Sequence, residues 1–447
     1  MKLAIVGAGW AGMAAAVEAA SRGMNVTVFE ATRTLGGRAR ALPASLPDGT
    51  PVTLDNGQHI LIGAYSETLA LMRRVGIDPR KQLLALPLAL PYPDGSGIRT
   101  PTWAARWPAP LDALAAIATA RGWTWRDRLA LVRMPLTWQR MGFTCPPAQS
   151  VADVCQGLPQ RVMNELIEPL CVSALNVPAQ EASGQVFLRV MRDALFGAGS
   201  HGFSASSLLL PSTDLSALFP QAAADWLARR HGERFSLRMA TRVTALRAQG
   251  TQWVLRTDDR EEVFDRVIWA TAASPAAQAM AEAVDAPAAL RAWAATTQGL
   301  SFTAITTVYT WGAGVRLAVP MIALREGPAQ FVFDRGQLEP DNASVQGVLA
   351  FVVSASQGER DDLQAKVLVQ AARELNLPAL QAVQTVVEKR ATFACLPGTQ
   401  RPAACIAPGL WAAGDYVDGP YPATLEGAVR SGMQAAAGTS ADPSVPT

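Results

Sequence analysis

An α/β fold is predicted for this 447-residue chain: a Rossmann-like domain that is discontinuous in sequence, with a mixed α+β domain inserted into it. Three observations predict it. The first is Gly7-Ala8-Gly9-Trp10-Ala11-Gly12, a G-x-G-x-x-G turn set between an apolar run at residues 3–6 and an Ala- and Val-rich run at residues 12–22. The second lies near the other end of the chain, where a short apolar run at residues 410–413 ends in Gly414-Asp415 and a helical run follows. The third is length: domains run to roughly 100–200 residues, so a chain of this size needs two or three.

The elements follow in order. Residues 3–6 read as a buried strand, residues 12–22 as a helix stopped by Gly23, and residues 26–29 as a second strand. Together they have the span of one βαβ unit, about thirty residues. A helix is expected over residues 65–75, ending at Gly76, and the Pro- and Trp-rich residues 87–110 mark a departure from the first domain. Residues 110–195 carry helical patterns, with starts at Asp112, Thr124, Ser150 and Glu181. A helix over residues 212–230 would place Leu215, Leu218, Phe219, Ala222 and Trp226 on one face. Residues 242–246, 253–256 and 263–264 alternate like a small antiparallel meander, and residues 266–270 form an apolar strand. Longer strands are expected over residues 301–310 and 346–353, and a helix over residues 360–375. A last strand over residues 410–413 precedes a terminal helix over residues 423–436, with a loose tail from Ala437. The division expected is residues 1–86, 208–285 and 395–447 in the Rossmann-like domain, and residues 87–207 and 286–394 in the inserted one.

Composition narrows the function classes. With 49% apolar and 17% charged residues the chain is globular rather than disordered. A net charge of +2 leaves no footprint for nucleic acid. The five cysteines are odd in number and none has C-x-x-C spacing, which suits a reducing cytosol better than a disulfide framework or a zinc site. His59, His201 and His231 are scattered, so no metal is expected. No apolar run reaches 18 residues, so no transmembrane helix is expected. Residues 3–16 hold motif-spaced glycines, with Glu18 just beyond, which argues against a secretory signal.

The glycine-rich turn points to a dinucleotide. Gly7 permits the tight turn, Gly9 lets the backbone approach a pyrophosphate, and Gly12 lets helix and strand pack closely. The helix start at Trp10 and Ala11 offers free N–H groups and a partial positive charge to phosphates. Glu30, with Ala31 beside it, ends the second strand and can accept ribose hydroxyls. Next comes Leu35-Gly36-Gly37-Arg38-Ala39-Arg40. Its two glycines let the backbone lie against a cofactor, and Arg38 can pair with a phosphate or a flavin edge.

Glu30 followed by Gly36-Gly37-Arg38 resembles the flavin amine oxidase superfamily, which includes monoamine oxidases, protoporphyrinogen oxidases and carotenoid desaturases. The resemblance implies an amine-oxidase-like fold with FAD as cofactor. It implies that Gly57, Gln58 and His59 of Asp55-Asn56-Gly57-Gln58-His59 approach the isoalloxazine ring. It further implies that Asp415, after Gly414, binds the ribityl chain and that Val243 touches adenine. The helix opened by Glu426-Gly427-Ala428 would point at the flavin pyrimidine and stabilise the negative charge of reduced flavin.

A closer resemblance is to the hydroxysqualene dehydroxylases of bacterial squalene and hopanoid synthesis. It is carried by residues 55–65, by Leu208-Leu209-Leu210-Pro211 with residues 215–220, and by residues 421–429, and D-N-G-Q-H is its most specific piece. It implies reductive removal of the hydroxyl of a C30 isoprenoid, hydroxysqualene, giving squalene and water. The hydroxyl is allylic, so its departure leaves a delocalised cation that can take hydride from reduced flavin N5. Such a site needs a dry apolar channel, a proton donor and fixed geometry. His59, Tyr421 and Glu426 lie in segments expected near the flavin and are the candidate donors, with a cofactor or packing contact as the alternative for each. His201 reads as an ordinary loop histidine.

Trp103, Trp107, Trp123, Trp125 and Trp138 crowd one region, interleaved with Arg106, Arg121, Arg126, Arg128, Arg133 and Arg140. They form either core tryptophans with a solvated basic face or a monotopic membrane patch. A C30 hydrocarbon carries a transfer cost of about 20 kcal/mol at ~0.8 kcal/mol per carbon. The expected partners are therefore a membrane, touched peripherally from the cytoplasmic side, and upstream squalene-pathway enzymes; the sequence does not name the reductant. The rival readings are a carotenoid-type desaturase, an amine oxidase, and a non-enzymatic prenyl-binding protein of the GDP dissociation inhibitor type. Amine oxidases commonly place a lysine near flavin N5, and none of Lys2, Lys81, Lys366 and Lys389 falls in a matching segment.

Overall fold

In the computed structural model, residues 1–104, 107 and 111–440 are described. The chain opens with β1 (Lys2–Val6), α1 (Trp10–Ser21) and β2 (Asn25–Phe29). β1 is buried from Leu3 to Val6, as a parallel strand covered on both faces must be. Later helices include α2 (Ser66–Arg74), α3 (Leu111–Thr119), α4 (Trp125–Arg140) and α5 (Gly184–Phe196). Then come β3 (Phe235–Arg238), β4 (Arg266–Trp269), β5 (Phe302–Trp311), β6 (Met321–Ala323), β7 (Phe331–Asp334) and β8 (Val348–Val353). The chain continues through α6 (Arg360–Glu374), β9 (Gln381–Phe393), β10 (Cys405–Ala407), β11 (Leu410–Ala412) and α7 (Leu425–Ser440).

Two sheets organise the molecule. The first has the order β3-β2-β1-β4-β11-β10 and is parallel except for the β10–β11 pair. It therefore collects strands from three separated stretches of chain. The antiparallel meander Val243–Gln249, Gln252–Thr257 and Glu261–Phe264 leads into β4. The second sheet, β6-β7-β8-β5-β9, is antiparallel throughout. α6 covers one of its faces, burying Leu363, Val367 and Ala371 with Val308, Leu349 and Phe351. The other face carries Phe331, Phe333 and Val386 towards a cavity. This is the amine-oxidase-like α/β architecture, a discontinuous Rossmann-like unit with a mixed insertion.

Several local expectations are corrected. The helix expected over residues 212–230 is two helices, Leu215–Leu218 and Pro220–His231. Proline has no N–H to continue a helix but suits the first position of a new one, so the break falls before Pro220. The start expected at Glu181 falls at Gly184, because Ser183 caps α5 by accepting from Val186 N. Thr124 and Ser150 do cap helices, each through a reciprocal capping box, with Asp127 and Asp153 respectively. α7 continues through residues 437–440, which were expected to be loose; the rest of that tail lies outside the described residues, as does Arg106. β9, the longest strand, carries Glu388-Lys389-Arg390 and lacks a clean two-residue alternation, so only its pairing with β5 reveals it.

Candidate active site

The N-terminus of α1 meets the C-terminal ends of β1 and β4 in a crevice with no room for a side chain at Gly7 or Gly12. Gly7 has φ +108°, and a Cβ there would stand 2.7 Å from Ala270 O; a Cβ on Gly12 would stand 1.9 Å from Gly7 O. The Gly36-Gly37 turn abuts this one, with Gly36 N donating to Ala8 O at 3.0 Å. Glu30 closes the crevice at the end of β2. Its carboxylate accepts from Ala8 N and from Thr32 N, both at 2.8 Å. Across the crevice Arg38 pairs with Asp415 and donates to Ala391 O. Burial opposes the Arg38 charge, but the Asp415 carboxylate more than offsets it and holds the guanidinium above the ordinary arginine range.

Of the expected site residues, all but Gly12, Glu426 and Gly427 line one continuous cavity of about 1230 Å³. Ligand pockets typically run to about 300–1,000 Å³, so this space exceeds what one small ligand needs. Its lining includes the two glycine turns, Glu30, Ala31 and Val243. It also includes Leu114, Leu131, Leu136, Leu166, Phe331 and Phe333, an apolar chamber relieved by a few polar groups such as Asn176, Thr307 and Ser354.

The cavity lining also includes Gly57, Gln58 and His59. This loop is held from beneath by a network that no local motif announced. Asp55 is buried, accepts from Leu215 N at 2.8 Å and faces Arg335 at 3.4 Å. Arg335, also buried, donates to Gln58 Oε1 at 3.1 Å and to Glu339. Burial pushes the Asp55 carboxyl up to about 7 against the pull of Arg335. His59 Nδ1 lies 2.9 Å from Gly57 O. A carbonyl only accepts, so Nδ1 carries the hydrogen and Nε2 the lone pair. Burial lowers the His59 pKa, so the ring is neutral at neutral pH.

Tyr421 also lines the cavity, and its hydroxyl donates to Asp193 on α5 at 2.8 Å. Arg189 and Arg430 stack on its ring at 5.7 and 5.0 Å. Burial, with Asp193 adding to it, pushes the hydroxyl up to about 12. Glu426 stands apart from its expected place beside the flavin. Its fully buried carboxylate accepts from Glu67 N at 3.1 Å, Thr68 N at 2.9 Å, Thr68 Oγ1 at 2.6 Å and Arg430 Nε at 2.7 Å. It caps α2 instead of facing the cavity. Gly427 and Gly12 are packing positions; a Cβ on Gly427 would stand 1.8 Å from Tyr421 O. His201 sits in a turn with its Nδ1 3.0 Å from Arg73 Nη1, away from the cavity lining. Arg335 and Asp193 are among the site residues the sequence did not point to, because their partners are distant in the chain.

The cradle fits FAD. Two glycine turns leave backbone open to a pyrophosphate, the α1 N-terminus offers its N–H groups, and Glu30, Arg38 and Asp415 ring the crevice. Fold and site together define an FAD-dependent oxidoreductase. The sequence profile of the flavin containing amine oxidoreductases matches residues 10–438, and the chain belongs to that family. It is similar to the hydroxysqualene dehydroxylase of Rhodopseudomonas palustris, 28% identical over 467 residues, covering 97% of this chain and 96% of the relative. A shorter stretch of 83 residues is 41% identical to the zeta-carotene desaturase of Synechocystis, covering 19% of this chain and 16% of that one. The fold is similar to that of an oxidoreductase from Methanosarcina mazei, with a TM-score of 0.72 at 14% identity, covering 97% of this chain and 99% of that one.

Proposed function

We propose that this enzyme removes the hydroxyl of hydroxysqualene reductively, releasing squalene and water. The observation that carries the reading is the single cavity that joins the dinucleotide cradle to an apolar chamber, in a chain similar end to end to a protein named hydroxysqualene dehydroxylase. Bound FAD, once reduced, supplies the hydride that replaces the hydroxyl. The chain's own residues do the rest. Leu131, Leu166, Phe331 and Phe333 exclude water and hold the hydrocarbon. Gly57, Gln58 and His59 form the wall where cofactor and substrate meet. His59 Nε2, which has no protein partner among the described residues, accepts from the substrate hydroxyl in the neutral ring and, after taking up a proton from solvent, hands that proton to the departing oxygen. Tyr421 is a weaker candidate for that proton, since its hydroxyl is engaged by Asp193. Arg38 and Asp415 hold the cofactor. On this reading the chain works in the cytoplasm, takes its C30 isoprenoid from the membrane face or an upstream pathway enzyme, and depends on a separate reductant.

The test uses the FAD-loaded protein, chemically reduced without oxygen and given hydroxysqualene in detergent. Flavin reoxidation with equivalent squalene is expected. The local likeness to a zeta-carotene desaturase supports a second reading. No reoxidation, together with bleaching of the oxidised enzyme by a polyene such as phytoene, would replace the first reading with the second.

A further inference from the structure

α4 carries two apolar stripes, and only one of them is buried. Leu131 and Trp138 point into the core. Trp125, Leu129, Val132 and Leu136 are 68, 37, 37 and 48% exposed, at spacings of four, three and four residues, which places them on one outward face. Arg126, Arg133 and Arg140 are exposed at seven-residue intervals and run alongside this stripe. The one carboxylate of α4, Asp127, is buried in the N-terminal cap. Next to the stripe, Leu111 and Leu114 of α3 and the paired rings of Trp103 and Trp107 are exposed too. Val132, Leu136 and Leu114 belong at once to this outer face and to the lining of the cavity, so the apolar chamber opens here. The other two tryptophans of the region, Trp123 and Trp138, are core residues and take no part.

We propose that this face docks on an anionic phospholipid surface, with the Trp125–Leu136 stripe in the headgroup–acyl boundary and Arg126, Arg133 and Arg140 on the phosphates. The chamber then opens directly onto the bilayer, and an apolar substrate passes between them without crossing water. A helix with a wide apolar stripe flanked by arginines has the form of an interfacial helix. A second copy of the chain is the poorer occupant, because it would set the same arginines against one another with no carboxylate on α4 to pair them. The inference rests on the proposed function only in taking the cargo to be a hydrocarbon.

The test is cosedimentation of the FAD-loaded enzyme with phosphatidylcholine vesicles, with or without phosphatidylglycerol and without substrate. Binding to the phosphatidylglycerol vesicles is expected, weakened by salt. Trp125→Ser/Leu129→Ser, neither of which lines the cavity, should reduce binding about tenfold or more, and Arg126→Gln/Arg133→Gln about tenfold. Unchanged flavin content and Tm show that the variants fold. Turnover of detergent-dissolved substrate should be unaffected, while the KM for vesicle-borne substrate rises. Wild-type protein left in the supernatant, variants that bind like wild type, or a dimer that Trp125→Ser/Leu129→Ser dissolves would each overturn the proposal. Vesicle binding needs no turnover, and turnover in detergent needs no vesicle, so either reading can fail alone.

Discussion

Asp55 and Arg335, 280 residues apart in the chain, face each other at 3.4 Å with 2 and 0% of their side chains exposed. The pair ties the loop that carries Gln58 and His59 to the end of β7 beneath the site. A buried pair is costly to break from one side: without Arg335 the buried Asp55 carboxyl must take up a proton, and Gln58 and Glu339 lose their donor. Arg335→Leu should cost about 3–5 kcal/mol and lower the Tm. Replacing both partners, Asp55→Asn with Arg335→Leu, should recover part of that loss. Thermal unfolding followed by flavin fluorescence checks it, and a single variant that melts like wild type would remove the pair from this role.

Arg38 and Asp415 come from opposite ends of the sequence and close the cofactor crevice. Asp415→Ala removes the charged acceptor and leaves the Arg38 guanidinium hydrogen-bonded only to backbone carbonyls, with Glu388 acting through space. A loss of about 1.5–3 kcal/mol is expected, or roughly tenfold or more in FAD affinity. Titration of apoenzyme with FAD measures it; unchanged affinity would mean that the cofactor does not use this pair.

Glu426 acts on stability. Its carboxylate satisfies the first N–H groups of α2, Thr68 Oγ1 and Arg430. Glu426→Ala strands the buried Thr68 N–H and hydroxyl, at about 1–3 kcal/mol each before relaxation, while Glu67 N and Arg430 are part-exposed and can turn to water. A lower Tm with an unaltered pH profile of turnover is expected. A shifted profile would return Glu426 to proton chemistry.

His59 supplies a pH dependence. Its folded pKa lies below the ordinary 6.5 because burial disfavours the cation. Between that lowered value and 6.5 the unfolded chain binds a proton that the folded chain does not. Stability therefore rises with pH in this window and is lost as pH falls through it. Between pH 7 and 5, wild type should lose more Tm than His59→Gln. The same variant should slow dehydroxylation by about 10²–10⁴ if His59 handles the leaving proton. Equal pH slopes for the two proteins would contradict the neutral ring.

The glycine turns were legible from the chain alone because their reasons are local. Gly7 needs a positive φ and Gly12 needs a missing Cβ, and both demands are met within a few residues of sequence. Glu30 is similar, since it ends a strand whose length and apolar run are visible. By the same logic Thr124 and Ser150 were readable as caps, their partners being three residues away.

Partnerships across long stretches of chain were not readable. Asp193 and Tyr421, Glu426 and Thr68, and Asp55 and Arg335 meet only after the strands and helices between them have packed. α4 shows the boundary most clearly. Its periodicity announces an amphipathic helix with more apolar residues than one face can bury. Which stripe goes inside is set by Phe187 against Trp138 and by the cavity wall, so the tertiary structure made Trp138 core and left Trp125 outside. Sequence determines backbone demands that close within a turn or two; burial and the choice of partner depend on neighbours that only the folded chain brings together.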